Sequence, residues 1–261
     1  NVKRIFAYYP ELRANITAPD GNIYGLPGIN ECFHCTYSQK MWINTQWLDN
    51  LGLAVPETTD DFYQVLKAIK ASDANGNGDP NDEIPLMGSI KSWHNPVYDF
   101  IMNAWVYNNG ADYFASDNGV LSFAPAQPEW QEGLRYLRKL YDEELIYPAS
   151  FTQTREQAQT IGDNPDAALF FAGTAGHLGM YMRIEADPPY DRHKEWTGLA
   201  PLTGPDGLKV SAIYRDFSGA KYVITDKAKY PDVAFRLGDY IYGDEGTTLM
   251  EAGPEGFIWE P

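Results

Sequence analysis

Apolar residues recur at helical spacing in four stretches of the chain. The clearest follows Pro56-Glu-Thr-Thr-Asp-Asp61, where Phe62, Val65, Leu66 and Ile69 form an i, i+3, i+4, i+7 stripe. Thr58 and Asp61 stand three apart just before it, the spacing of a capping box. A shorter helix is predicted over Thr45–Leu51. Residues 96–106 carry Val97, Phe100, Ile101, Ala104 and Trp105 on one side, which places Trp105 in a core. Pro128 fits the first turn of a long helix whose face is Trp130, Leu134, Leu137 and Tyr141. Pro231 opens a last helix with Val233, Ala234, Leu237, Tyr240 and Ile241. Between these lie short extended runs at residues 22–26, 84–87, 119–123, 167–171 and 221–225. The first is stopped by Pro27-Gly28, and the fourth runs into Gly173-Thr-Ala-Gly176-His-Leu-Gly179. Strands alternating with capped helices predict an α/β fold, with neither an internal repeat nor a low-complexity linker.

The charge narrows the partners. The 261 residues carry 20 Lys and Arg against 36 Asp and Glu, a net charge of −16. No basic cluster exists to meet phosphates, so nucleic acid is excluded as a partner and anionic lipid is disfavoured. No apolar stretch reaches the roughly 20 residues that span a bilayer. The first ten residues lack the charged and apolar regions of a signal peptide, so the chain reads as cytoplasmic or as a mature piece of a secreted protein. Tyr, Phe and Trp make up 14% of the chain. Tyr and Trp pair a flat apolar face with a polar tip, which suits carbohydrate faces as well as cores.

Two cysteines stand in Cys32-Phe-His-Cys35. The spacing is that of a redox pair, but Thr36-Tyr-Ser-Gln39 is a poor helix start, and zinc needs two further ligands. A local disulfide or two inert thiols are the remaining readings. Asn15-Ile-Thr17 matches a glycosylation sequon, a three-residue pattern with little specificity.

The most specific local chemistry is in Asp73-Ala-Asn-Gly-Asn-Gly-Asp-Pro-Asn-Asp-Glu83. A hard cation such as Ca²⁺ takes six to eight oxygens. Asp73, Asn75 and Asn77 offer side-chain oxygens at alternate positions, Gly78 allows the sharp turn, and Asp79 supplies a backbone carbonyl. The twelfth position is Ile84, so the closing carboxylate must come from Asp82 or Glu83, earlier than in an EF-hand. A metal-free Asx-rich turn is the alternative. Calcium bound here would be structural, because every protein ligand comes from one loop.

Catalytic signatures are missing. The chain has no Gly-x-Ser-x-Gly, no phosphate-binding P-loop, no His-Glu-x-x-His and no Gly-x-Gly-x-x-Gly. The acidic pairs Asp60-Asp61 and Glu143-Glu144 fall at predicted helix ends, where they cap or face solvent.

Several segments together resemble one family. They are Gly21-Asn-Ile-Tyr-Gly-Leu-Pro27, Met41-Trp-Ile-Asn44 with Trp47-Leu48 and Leu51-Gly-Leu53, Pro56-Glu-Thr-Thr-Asp-Asp-Phe62, the acidic loop ending Asp82-Glu-Ile-Pro-Leu86, Glu132-Gly-Leu-Arg-Tyr-Leu-Arg-Lys-Leu-Tyr141 with Leu145-Ile146, and Tyr230-Pro-Asp-Val-Ala-Phe-Arg-Leu-Gly-Asp-Tyr-Ile-Tyr242 with Glu245-Gly246. Their order and spacing are similar to extracellular solute-binding proteins of family 1. The match is to the calcium-loop branch that holds alginate- and oligosaccharide-binding members.

The resemblance implies a type II periplasmic-binding-protein-like α/β fold whose two lobes close on a saccharide. It implies a central fragment: residues 1–33 as part of the first lobe and the crossing, 34–216 as the second lobe, and 217–261 as the return, with a crossing back near 216–220. It implies an extracytoplasmic monomer, a cell-surface lipoprotein or periplasmic protein, that serves the permease subunits of an ABC importer and is not an enzyme. Cys32 and Cys35 fall in the crossing, where the family usually has polar or aromatic residues. The ligand residues it suggests are Trp93, His94 and Asn95 on one polar loop, Tyr181 after the glycine-rich segment, Tyr37 and Phe33 at the crossing, and Trp259 near the end. Each has core packing as its alternative. The rival function is a secreted carbohydrate-active enzyme, a glycosidase or lyase, which would need two functional carboxylates. A surface adhesion module is a third reading, without a cleft.

Overall fold

A computed structural model describes residues 1–188, 190–214 and 217–260. The chain divides into two compact units, Asn1–Cys32 with Arg215–Pro261, and Phe33–Tyr214. The expected lobe boundary at 216, and with it the start of the second crossing, lies outside the described residues.

In chain order the helices are α1 (Val2–Tyr8), α2 (Pro10–Ile16), α3 (Phe33–Thr36), α4 (Thr45–Leu51), α5 (Thr59–Lys70), α6 (Val97–Ile101), α7 (Pro128–Asp142), α8 (Arg155–Gly162), α9 (Pro231–Ile241) and α10 (Asp244–Glu251). The strands are β1 (Leu26–Ile29), β2 (Met41–Asn44), β3 (Ile84–Met87), β4 (Phe114–Asp117), β5 (Val120–Phe123), β6 (Phe170–Thr174), β7 (Trp196–Leu199) and β8 (Phe217–Tyr222). The fold is α/β, as the alternation of elements predicts.

The larger unit is built on a four-stranded mixed sheet in the order β3-β6-β2-β7, with β3 parallel to β6 and the other pairs antiparallel. One face meets α4, α5 and α7 through Met41, Ile43, Trp47, Phe62, Leu66, Ile69, Leu86, Leu140 and Phe171, all buried. The other face carries Met87, Phe170, Leu178, Tyr181 and Trp196. The Thr58–Asp61 box forms with both of its hydrogen bonds, each at 3.0 Å. Trp105 is in the core, as its place in the stripe predicts.

Five expectations shift. β6 begins at Phe170, three residues later than predicted, because pairing with β3 starts at Ile84↔Phe170; it continues through Gly173, where the ring of Tyr181 fills the space of a missing side chain. The helix expected over 96–106 is cut to five residues and a 3-10 turn. Asn103 lies inside that span and spends its amide on Gln39 Oε1 and the carbonyls of Asp99 and Asn108, a side-chain competition with the helix ladder. In α7 the buried line is Gly133, Leu137 and Leu140, whereas Leu134 and Tyr141 are exposed. The first strand is displaced to Leu26–Ile29 and includes Pro27, which a register irregularity between Leu26 and Gly28 accommodates without a donor. Its partner β8 ends at Tyr222, opposite Leu26, so the strand predicted over 221–225 falls mostly beyond the pairing.

The smaller unit holds the β1–β8 ribbon with α1, α2, α9 and α10. Asp239 of α9 pins the first residue: its Oδ1 accepts the Val2 amide at 2.9 Å and its main-chain carbonyl accepts the Asn1 amide at 2.8 Å. The stripe predicted for α9 is not a core face among the described residues. Val233, Leu237 and Tyr240 of that stripe are exposed and Ala234 and Ile241 only half-buried, and an apolar groove of about 890 Å³ runs between Val2, Phe6, Ile23, Tyr24, Tyr222 and the exposed Phe235.

Candidate functional site

Two loops flank β3, and both carry residues that the sequence singles out. The first, residues 71–83, joins α5 to β3. Its turns use left-handed glycines, Gly76 at φ +74° and Gly78 at φ +95°. Asp73 Oδ2 accepts the Gly78 amide at 2.9 Å, which folds the loop back on its first acid. Glu83 Oε1 accepts the amides of Ala74 at 2.8 Å and Asn75 at 3.4 Å. The amides of Asn75 and Asn77 donate to the two oxygens of Asp82, at 2.9 and 2.6 Å. The Asp79 carboxylate turns to the Asn81 amide at 3.1 Å, so a metal contact here falls to its backbone. The second oxygen of Asp73 and the second oxygen of Glu83 are buried with no hydrogen-bond partner among the described residues. Burial pushes the Glu83 carboxyl above its ordinary value of 4.5, and the Asp82 charge adds to that shift, against the pull of the backbone amides. Buried acceptor oxygens without a donor suit a cation, and an all-oxygen donor set suits a hard one.

The second loop runs from Gly88 to Pro96. Gly88 N–H donates to Ser150 Oγ at 3.0 Å, Ile90 N–H to the Gln153 carbonyl at 3.0 Å, and Ser89 N–H to the Asn95 carbonyl at 3.2 Å. Lys91 and His94 take left-handed backbone angles, φ +55° and +56°, which L side chains adopt at a cost. Between them Trp93 reaches the surface, 37% exposed. The His34 ring meets it edge-on at 5.6 Å, the His94 ring is 5.9 Å away, and His177 lies 5.9 Å beyond His34. His94 turns inward: its ring packs on Tyr214 at 4.7 Å, and Nδ1 is 3.6 Å from Asp99 Oδ2. Burial raises the Asp99 carboxyl, and His94 opposes that shift. Desolvation, with His34 and Lys40 nearby, lowers the His177 pKa.

Not every expected ligand residue is at a surface. Asn95 is fully buried, and its carbonyl accepts from Thr174 Oγ1 at 2.9 Å, so it holds the loop down rather than meeting a ligand. Tyr181 is also fully buried: its hydroxyl donates to the Thr174 carbonyl at 2.7 Å, its ring packs on Phe170, and burial raises its pKa. It is a core residue of the sheet's second face. Phe33 and Tyr37 form an exposed edge-on pair at 5.4 Å. Trp259 belongs to the smaller unit, where its indole nitrogen donates to the Gly253 carbonyl at 2.9 Å. Cys32 and Cys35 are disulfide-bonded, which removes both as thiolate ligands. The site residues that sequence reasoning missed are His34, His177, Gly176 and Asp99. Single histidines and one glycine carry no spacing signal, and only the fold gathers them.

The sequence profile for bacterial extracellular solute-binding protein matches residues 5–248. The fructooligosaccharide ABC transporter substrate-binding protein FusA of Streptococcus pneumoniae is 31% identical over 251 residues, 93% of this chain and 44% of that one. The solved structure of S. pneumoniae FusA in complex with kestose superimposes with a TM-score of 0.77 at 28% identity, over 95% of this chain and 50% of that one. An EF-hand mutant of the same protein in complex with fructo-nystose gives 0.79 at 27% identity, over 100% of this chain and 52% of that one. The chain therefore spans about half the length of the relatives it matches.

Proposed function

The chain belongs to the bacterial extracellular solute-binding protein family, and on that premise we propose that it is the solute-capturing part of an ABC importer. It takes a carbohydrate, an oligosaccharide, outside the cytoplasm and delivers it to permease subunits in the membrane. It works as a monomer, as a cell-surface lipoprotein or in the periplasm, with no catalytic step. The observation that carries the ligand class is Trp93: an exposed indole on a tightly bonded loop, with the His34 imidazole edge-on to it, whose nitrogens can exchange hydrogen bonds with hydroxyls. Sugar C–H faces stack on such a ring. Phe33 and Tyr37 are two further exposed aromatics of that unit assigned to the ligand in this reading, and His94 steadies the loop through Asp99.

Calcium belongs to the same reading. Asp73, Asn75, Asn77, the Asp79 carbonyl, Asp82 and Glu83 would hold it, and the unpartnered oxygens of Asp73 and Glu83 support the assignment. Bound there, Ca²⁺ would supply charge neutralisation to the loop and no chemistry to the ligand.

Titration of the full-length protein by tryptophan fluorescence tests the function. Kestose and fructo-nystose are the first probes, because FusA is solved with both. The expected result is saturable binding with the saccharide recovered intact. Binding of no saccharide, or recovery of cleaved products, would reject the reading.

A further inference from the structure

Gly176 follows β6 and meets Trp93 more closely than any side chain could. A Cβ at Gly176 would fall 2.5 Å from Trp93 Cδ2, 2.6 Å from Cε3 and 2.9 Å from Cε2. Cδ2 is bonded to three other ring carbons, so an atom can come this near only from above the ring plane. One face of the indole is therefore laid on bare backbone. The same segment is bonded to the tryptophan: Gly176 N–H donates to the Trp93 carbonyl at 2.9 Å. Lys40 fixes the shelf from below, with Nζ donating to the Gly176 carbonyl at 3.1 Å and to the His34 carbonyl at 2.8 Å. Glycine backbone and edge-on histidine are thus held by one ammonium. The His34 and His94 rings lie 5.6 and 5.9 Å from the indole, at 70° and 44° to it, and with the glycine side closed Trp93 still keeps 37% of its surface exposed.

We propose that Gly176 is a positioning residue for saccharide capture: the absence of a side chain there lets the Trp93 indole lie flat on the end of β6 and present its free face to a sugar ring. The proposal rests on the reading of Trp93 as the saccharide plate. A methyl group at 176 cannot be absorbed by the backbone, which is bonded on both sides. The indole must lift instead, and a lifted ring offers neither a fixed plane nor a dry underside.

The test uses Gly176→Ala, Trp93→Ala and the double variant in the full-length protein, with fructo-nystose and kestose as probes. The Trp93 emission in each background is the difference between the spectra with and without the tryptophan. Gly176→Ala should shift that emission, make it more accessible to acrylamide, and weaken saccharide binding about tenfold. The double variant should bind no worse than Trp93→Ala, because the glycine acts only through the ring. Unchanged emission in Gly176→Ala, or two losses that add in full, would overturn the proposal. If Gly176→Ala does not fold, removing the ring in the double variant should restore a cooperative melt; failure to do so counts against the shelf. Wild-type binding by Trp93→Ala would reject the plate itself, whereas an unshifted emission rejects only the shelf.

Discussion

The loops at the two ends of β3 are built on opposite plans. The 71–83 loop closes on itself: Asp73 bonds Gly78, Glu83 bonds Ala74, and Asp82 takes the amides of Asn75 and Asn77. The 88–96 loop closes on the rest of the unit, through Ser150, Gln153, Thr174 and Gly176. The first gathers negative charge and leaves two carboxylate oxygens unpartnered, so its geometry calls for a cation. The second spends its backbone on neighbouring elements and brings one aromatic ring, Trp93, to the surface, although Ser89 Oγ and both amide atoms of Asn95 are also buried without a partner among the described residues. The unpartnered atoms of the first loop are carboxylate oxygens, which suit a cation, whereas those of the second belong to a hydroxyl and a neutral amide.

The largest test of that contrast is removal of calcium. A site a hundredfold above its dissociation constant contributes about 2.7 kcal/mol, which moves the melting temperature of a protein about twice this length by roughly 3–5 °C. Melting the full-length protein with Ca²⁺ and with chelator should show that drop in wild type and none in Asp73→Asn/Glu83→Gln. An equal melting point in both conditions would end the calcium assignment. Next in size, Trp93→Ala should weaken oligosaccharide binding about tenfold, the loss of one stacked ring, while the variant still melts cooperatively. Calorimetric titration and a thermal scan read the two quantities separately. A variant that loses its cooperative melt would make Trp93 a structural residue and blur the contrast.

A smaller effect separates Tyr181 from the plate. Tyr181→Phe leaves the buried Thr174 carbonyl without its donor and should cost about 1 kcal/mol of stability, with saccharide affinity unchanged. Urea midpoints and the same titration check it; lost affinity would put Tyr181 back among the ligand residues. Smallest is a pH effect at Glu83. Burial raises its folded pKa above the ordinary 4.5, so the folded state holds that proton more tightly than the unfolded one. Its contribution to stability is full below 4.5 and is lost as pH rises through the raised value. In chelator, acidification toward 4.5 should therefore stabilise wild type relative to Glu83→Gln. With calcium the order should reverse, because the proton competes with the cation. Urea midpoints across that range that move alike with and without calcium would detach Glu83 from the metal.

What could be read in advance follows the same division. The acidic loop was legible because its partners lie within eleven residues, and the Thr58–Asp61 cap because its partners lie within four. Trp93 was legible as a candidate, but its shelf was not: Lys40 just before β2 and Gly176 just after β6 are distant in sequence, and nothing in their own spacing points at a tryptophan. Tyr181 misled for the converse reason. It follows a glycine-rich run that reads as a cleft edge, yet Gly173 is inside β6 and exists to admit that ring. The α9 stripe shows a third case, in which periodicity found the helix and its apolar side, and the described residues leave that side exposed.

Strand β3 is only four residues long, yet it is the sole covalent link between the two loops. From Pro85 to Met87 it is buried, and it runs parallel to the wholly buried β6, with the Tyr147 amide bonded to the Leu86 carbonyl at 2.8 Å. Segments joined through such a strand exchange their amide hydrogens as one cooperative unit. The lifetime of the closed state is then expected to be shared: a cation that slowed the opening of the acidic loop would slow deuterium uptake around Trp93 as well, without touching it.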